Sequence, residues 1–332
     1  MSKHESKKDL PLNSNPTIDS TESQPFILNN DGSVTRHMQI PNIEPTQDPN
    51  NIVISKDVPL SPINKTWLRL FLPSIALHNS KKLPLIIYYH GGGFIFFSAS
   101  STINHDFCFK LAEKINVVVA SVDYRLAPES RLPAAYDDAV EALHWLKTTN
   151  EKWIRESCDV SNCYLMGSSA GGNIAYHAGL HVAAAIDGFD FDQLKIKGLI
   201  LHHPFFGGSH RTESEIRLEN DRALPLRGSD LMWEYALPKG VDRDHKYCNP
   251  TAVDEGDCFC FDEIKRLGWK ILVTCCNGDP LIDRQVGFVE MLRSKGVKVV
   301  GYLGEGFHGM ELLDPTKDEP LFEQVKDLIN QC

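Results

Sequence analysis

Three features of the sequence predict an α/β fold with a mostly parallel central sheet flanked by helices, antiparallel strands on its N-terminal side and a helical cap. From Leu83 onward, short apolar runs alternate with helical patterns of ten or more residues, the sequence form of right-handed βαβ crossovers. Before Leu83, three short strand-like runs follow one another with no helix between them, which favours antiparallel pairing. A polar and aromatic segment from about 204 to 250 then interrupts the alternation; it is too long for a plain connection and has the length of a lid.

In chain order, residues 1–24 lack the apolar content to pack and read as a flexible N-terminal arm. The remainder, 25–332, reads as one domain. Its early strands are Val34–Met38, Ile52–Ile54 and Thr66–Leu72, separated by Asp31-Gly32 and a loop carrying Pro41, Pro45 and Pro49. Leu83–Tyr89 is a buried-type strand, Ile103–Ile115 a helix with Phe107, Leu111 and Ile115 on one face, and Val117–Val122 the next strand. A helix over Ala134–Leu146 follows Pro133, then a strand ending near Gly167, a helix from Ala170, and a strand at Leu199–Leu201. Within 204–250 only Asp230–Leu237 has a helical pattern. Strands at Lys270–Cys275 and Val297–Leu303 flank a helix at Arg284–Lys295, and a last helix begins near Glu319.

The net charge of −10 and the absence of Lys/Arg blocks exclude the basic footprint that nucleic acid or an anionic membrane surface requires. No apolar run near the N-terminus could serve as a signal-peptide core or a membrane span, so the expected location is cytoplasmic. Nine scattered cysteines fit a reducing compartment better than a disulfide framework. Neither Cys275-Cys276 nor Cys258/Cys260 has a partner pair at zinc-finger spacing, so no metal and no cofactor are expected. The partner class left is a small molecule, met by a monomer or a weak homo-oligomer.

Chemistry enters at Gly167-Ser168-Ser169-Ala170-Gly171, which fits G-x-S-x-G between a strand and a helix. In an α/β-hydrolase this nucleophile elbow holds its central serine in a strained turn, and its flanking glycines avoid a Cβ collision. Ser168 does not fit the centre, because its flanking positions are Met166 and Ala170. The pentapeptide alone serves equally well as a Gly/Ser turn. The test is whether an acid and a histidine follow, each on a loop just past a strand. Asp279 directly follows the strand at Lys270–Cys275, and His308 directly follows the strand at Val297–Leu303. Asp283 is a rival acid at this stage. His177 and His181 lie i, i+4 on the helix after the elbow, where packing or surface roles are the simpler reading, and His202-His203 precede the cap segment.

Oxyanion donors have a candidate in His90-Gly91-Gly92-Gly93-Phe94, just past the strand Leu83–Tyr89. Consecutive glycines let backbone N–H groups approach a substrate oxygen, and no P-loop or dinucleotide fingerprint follows them. Gly92, Gly93 and the amide of Ala170 are the expected donors, with Gly91 a further candidate; His90 is expected to hydrogen-bond within its loop. Phe94, Ile95, Phe205, Phe206 and Phe307 are candidates for an apolar substrate pocket, with core packing the competing role.

Taken together, His90-Gly91-Gly92-Gly93-Phe94, Asp123-Tyr124-Arg125-Leu126-Ala127-Pro128-Glu129, Gly167–Asn173, Gly278-Asp279-Pro280-Leu281-Ile282-Asp283 and His308-Gly309 resemble the hormone-sensitive-lipase group of the α/β-hydrolase fold. Within it the set is most similar to the plant class I carboxylesterases. The resemblance implies a serine esterase with Ser169 as nucleophile, His308 as base and acid, and Asp279 rather than Asp283 as the orienting carboxylate. It also implies a cap built from the N-terminal segment together with the inserted helices. Many members carry Asp where this chain has Ser168, a position outside the triad. The Asp123–Glu129 signature reads as scaffold beneath the site.

The expected function is therefore hydrolysis of small, largely apolar esters, with short acyl chains or specialised-metabolite alcohols, through an acyl-enzyme. The resemblance also admits dehydratases or cyclases that use the oxyanion hole without an acyl-enzyme, and hormone receptors that bind without turnover. Receptor-like members tend to lose a triad residue, whereas this chain has all three.

Overall fold

The computed structural model describes residues 26–29, 34–38, 40–184, 194–252, 258–314 and 316–331. The expected arm at 1–24 lies outside the described residues. Strands β1 (Phe26–Leu28) and β2 (Val34–Arg36) form an antiparallel hairpin of their own. The main sheet is built from β3 (Val53–Ser61), β4 (Thr66–Pro73), β5 (Leu83–Tyr89), β6 (Val118–Asp123), β7 (Cys158–Ser168), β8 (Ile196–His202), β9 (Lys270–Gly278) and β10 (Lys298–Phe307). Its spatial order is β10-β9-β8-β7-β5-β6-β4-β3. Every neighbouring pair from β10 to β6 is parallel, and β4 pairs antiparallel with both β6 and β3. The expected mostly parallel sheet with an antiparallel N-terminal side is what the chain forms.

The central strands are apolar on both faces because both faces are covered. Leu85, Ile87, Leu199 and Leu201 belong to one core, with side chains of α2 (Ala134–Thr148), α3 (Ala170–Ala184) and α7 (Ile282–Ser294). The alternate residues Ile86, Tyr88, Met166 and Ile200 belong to the other, with α1 (Thr102–Ile115) and α9 (Glu319–Asn330). The two-residue period thus divides each strand between two helical layers.

Differences from the sequence expectation fall where one face is wet. β3 extends to Ser61, well past Ile54, as an edge strand whose buried and open positions alternate and which accommodates Pro59. α6 (Cys258–Leu267) was not expected. In segment 204–250 the chain forms the short α4 (Glu213–Arg217), held by a Thr212/Glu215 capping box, and α5 (Leu226–Ala236), one turn earlier than expected and beginning after Pro225. No strand forms there. α5 is tied down by the amide of Leu132, which donates to Ala236 O, and by Arg131 Nη1, which donates to the carbonyls of Glu234 and Leu237. The β1–β2 hairpin reaches the same place, with the Phe26 ring edge-on to Phe96 at 5.8 Å and to Tyr235 at 5.2 Å.

Candidate active site

β7 ends at Ser168 and α3 begins at Ala170, so the whole turn from strand to helix falls on Ser169. Its φ is +54°, a conformation that a side chain tolerates only where the surroundings enforce it. The enforcing contacts are the Ser169 N–H to His202 O at 2.9 Å and the Phe205 N–H to Ser169 O at 2.9 Å. Space explains the flanking glycines. A Cβ on Gly167 would stand 2.0 Å from Gly171 O, and one on Gly171 1.8 Å from Tyr89 O. Asn173 continues the brace, donating to the carbonyls of Phe205 (3.1 Å) and Tyr247 (2.8 Å) while accepting from the Tyr136 hydroxyl (2.7 Å). Ser168 points away from the site, buried, its Oγ 3.0 Å from the Tyr88 hydroxyl.

Asp279 follows β9, and His308 follows β10, so adjacent parallel strands deliver both side chains to the sheet edge where Ser169 stands. Ser169 Oγ lies 2.8 Å from His308 Nε2, and His308 Nδ1 lies 2.8 Å from Asp279 Oδ2. Asp279 is fully buried. Its carboxylate also accepts the Leu281 N–H at 2.8 Å and the Gln285 amide at 2.9 Å. Burial works against its charge, but His308, His203 and the Leu281 N–H outweigh burial and hold its pKa down, at about 2. Burial likewise opposes protonation of His308, and the Asp279 charge and hydrogen bond overcome it, raising its pKa above the ordinary value. Asp283 has other work: its carboxylate accepts the Ser214 N–H at 2.7 Å, at the start of α4.

The glycine loop packs on the elbow, and a Cβ on Gly91 would meet Ser168 O at 3.1 Å. Gly92 and Gly93 have φ of +106° and +61°, which glycine adopts freely. Among the described residues, the N–H groups of Gly92, Gly93 and Ala170 have no backbone acceptor, and that of Ala170 is an orphan donor of the first helical turn. His90 Nδ1 lies 2.8 Å from Gly91 O and its ring stacks on Tyr124 at 4.3 Å, the in-loop role expected of it. The Asp123–Glu129 signature forms a frame under the loop: Asp123 accepts the Ala99 N–H, Arg125 pairs with buried Asp138, and Glu129 pairs with Arg36. Arg36 also donates to Ile95 O at 2.6 Å and Ala127 O at 3.0 Å, fastening β2 to the chain just past the glycines.

Of the pocket candidates, Phe94, Ile95, Phe205 and Phe206 are packed in the core, whereas Phe307 is at the surface. Trp233 of α5 stacks on Phe205 at 4.8 Å and meets Phe94 at 5.4 Å. Met232 of α5 lies directly over the glycines, its Sδ 1.8 Å from where a Gly93 Cβ would be. His177 is half-buried, stacked on Tyr136, and His181 is exposed, as their helical spacing led us to expect.

Gln285, Met232 and Arg36 carry no local sequence signal for the site, because each reaches it from an element distant in sequence or a turn further along a helix. His203 was visible as a histidine after a strand but not as a neighbour of His308. Its ring centroid lies 5.8 Å from that of His308, and its Nδ1 accepts the Gly309 N–H at 3.1 Å. Burial and the adjacent His202 push its pKa down to about 3. No helix among the described residues is long and apolar enough to cross a membrane.

Comparison with known proteins bears on the fold and the family. A family model described as the alpha/beta hydrolase fold matches residues 86–311. Carboxylesterase 20 of Arabidopsis thaliana is 49% identical over 91% of this chain and 94% of its own length. The 3-O-acetylpapaveroxine carboxylesterase CXE2 of Papaver somniferum is 47% identical over 90% of this chain and 95% of its own. Among solved structures, the esterase of Pyrobaculum calidifontis superposes with a TM-score of 0.68 at 26% identity, covering 87% of this chain and 86% of that one.

Proposed function

The chain belongs to the α/β-hydrolase family, among the plant carboxylesterases and with carboxylic ester hydrolysis as its activity, and on that premise we propose a Ser-His-Asp acyl-enzyme mechanism centred on Ser169. The observation that carries the reading is the unbroken chain Asp279–His308–Ser169, with 2.8 Å at each step. His308 Nε2 takes the Ser169 proton as Oγ attacks the ester carbonyl, and Asp279 holds the ring in the required tautomer and stabilises the imidazolium. The unpaired N–H groups of Gly92, Gly93 and Ala170 receive the developing oxyanion, with Gly91 in reserve. His308 then protonates the departing alkoxide. Water, deprotonated by the same ring, releases the acid from the acyl-enzyme.

The substrates we propose are small, largely apolar esters, with a short acyl group over the glycines and the larger alcohol toward the segment 204–250, which serves as cap together with the N-terminal residues. Met232 over Gly93 limits the acyl side, and the acetyl ester in the name of the Papaver relative is of this kind. Unpaired cysteines, among them the adjacent Cys275 and Cys276, support a reducing, cytoplasmic setting. The test is labelling by a fluorophosphonate together with hydrolysis of p-nitrophenyl acetate and butyrate. Both should be lost in Ser169→Ala with folding intact; a folded protein that is inert and unlabelled overturns the reading.

A further inference from the structure

Beside His308, whose ring centroid is 5.8 Å from that of His203, lies a second group of ligating side chains that the hydrolytic mechanism does not use. His202 ends β8 and His203 follows it, their rings stacked at 4.1 Å, and Glu311 stands on α8 (Met310–Leu313). His202 Nε2 and Glu311 Oε2 approach to 3.1 Å, yet both are buried and neither makes a hydrogen bond, because the approach is off the donor line. One ligand atom from each of His202, His203 and Glu311 lies within 4.8 Å of the others. Glu311 and Thr274 also line a cavity of about 280 Å³, which adjoins the group on the Glu311 side.

We propose that His202, His203 and Glu311 form an inhibitory site for a divalent transition-metal ion of the Zn²⁺ class. Two imidazoles and a carboxylate with an open fourth position are a donor set that suits Zn²⁺. Tetrahedral bonds of about 2.0–2.2 Å separate neighbouring ligand atoms by roughly 3.3 Å, which the His202–Glu311 pair already approximates and His203 reaches by side-chain rotation. His202 also has the outer partner that a metal-bound histidine uses: its Nδ1 is 2.7 Å from Thr274 Oγ1, so with the ion on Nε2 the Nδ1–H donates to that hydroxyl.

Inhibition follows from the valence of His203. A neutral imidazole has one ring nitrogen with a free lone pair, and in His203 that lone pair accepts the Gly309 N–H. An ion on Nδ1 displaces Gly309 directly; an ion on Nε2 forces the proton onto Nδ1, which then donates and can no longer accept. Either way the residue next to His308 loses its tether. This consequence rests on the proposed role of His308, whereas binding of the ion does not.

The experiment is titration of the full chain with Co²⁺, read by visible d–d absorption, with Zn²⁺ as competitor, alongside p-nitrophenyl acetate hydrolysis at rising Zn²⁺. The expected result is one equivalent of tetrahedral-type Co²⁺ displaced by Zn²⁺, with turnover inhibited over the same concentration range and restored by a chelator. Glu311→Gln should weaken Co²⁺ binding and raise the inhibiting Zn²⁺ concentration by tenfold or more, and His202→Gln should do the same should the first variant not fold. Absence of a Co²⁺ spectrum in the unaltered chain, or equal Zn²⁺ sensitivity of the unaltered chain and the variants, overturns the proposal. An esterase-inactive protein that still shows the Co²⁺ spectrum retains the metal site while removing the hydrolytic reading.

Discussion

Gln285 Nε2 donates at 2.9 Å to the same oxygen of Asp279 that faces His308 Nδ1 at 2.8 Å. A carboxylate held from two directions cannot rotate away from the imidazole, and the first turn of α7 thereby sets the direction of the His308 ring. Asp279→Asn should lower kcat by about 1,000- to 10,000-fold, as expected when the wrong tautomer is enforced. Gln285→Leu should cost far less and act on kcat with little change in KM. Asp283→Asn exchanges the charged acceptor of the Ser214 N–H for a neutral amide oxygen and should lower stability by at most about 1 kcal/mol with activity close to intact. Steady-state kinetics with thermal melts on the three variants separate these roles, and a reversal of Asp279 and Asp283 would reassign the acid.

The pH dependence follows from the same pair. Asp279 raises the His308 pKa above its ordinary 6.5 despite burial, and the proposed mechanism needs the neutral ring. The acid limb of kcat/KM should therefore have an apparent pKa above 6.5, and Asp279→Asn should move that limb to lower pH as well as lower its plateau. Stability runs the other way for the histidine. A raised pKa adds stability that is complete below the unfolded value and is lost as pH rises through the folded value. Asp279, with its pKa lowered from 3.8 to about 2, adds stability present above 3.8 and lost as pH falls toward 2. Rate profiles and denaturant melts across pH check both signs, and an acid limb at or below 6.5 that Asp279→Asn leaves unmoved would contradict the first.

Glycines in this chain divide by what surrounds them. Gly171→Ala would put a Cβ 1.8 Å from Tyr89 O, a backbone collision between the start of α3 and the end of β5, and should cost at least about 3 kcal/mol or prevent recovery of folded protein. Gly287 lies within α7 with nothing within 4 Å of its Cβ position. Gly287→Ala should therefore stabilise by about 0.5–1 kcal/mol through helix propensity. Melting temperatures of the two variants give the comparison.

Ser169, Asp279, His308 and the glycine loop were legible in the sequence because each follows an apolar run directly, and parallel strands must bring such loops to one edge of the sheet. The same logic was silent about side chains arriving from elsewhere. Gln285 is one amide on an ordinary amphipathic helix. His203 has the form of any histidine after a strand until β8 and β10 are known to flank β9. Arg36 lies in a hairpin strand too short for a periodic signal. The aromatic residues near the glycines failed to separate pocket from core, because buried packing and an apolar wall call for the same side chains; Phe94 and Phe205 pack against Trp233 of α5, a partner that no spacing rule connects to them. Ser168, where the related pattern has Asp, proves to be the buried partner of the Tyr88 hydroxyl.

Met232 offers a direct test of whether the proposed cap segment sets substrate size. Its sulfur occupies the space that any side chain at Gly93 would need, so an acyl chain extending over the glycines meets it first. Met232→Ala removes that obstruction without touching Ser169, His308 or Asp279. The ratio of kcat/KM for p-nitrophenyl hexanoate to that for the acetate should rise by about tenfold or more, the range in which a few methylenes in an apolar pocket discriminate. Activity toward the acetate should change less, because the proposed oxyanion donors are backbone groups and stay in place. Met232→Trp should push the ratio the opposite way. An unchanged ratio in both variants would mean that the acyl chain leaves the glycine loop in another direction, and that α5 bounds the alcohol side instead.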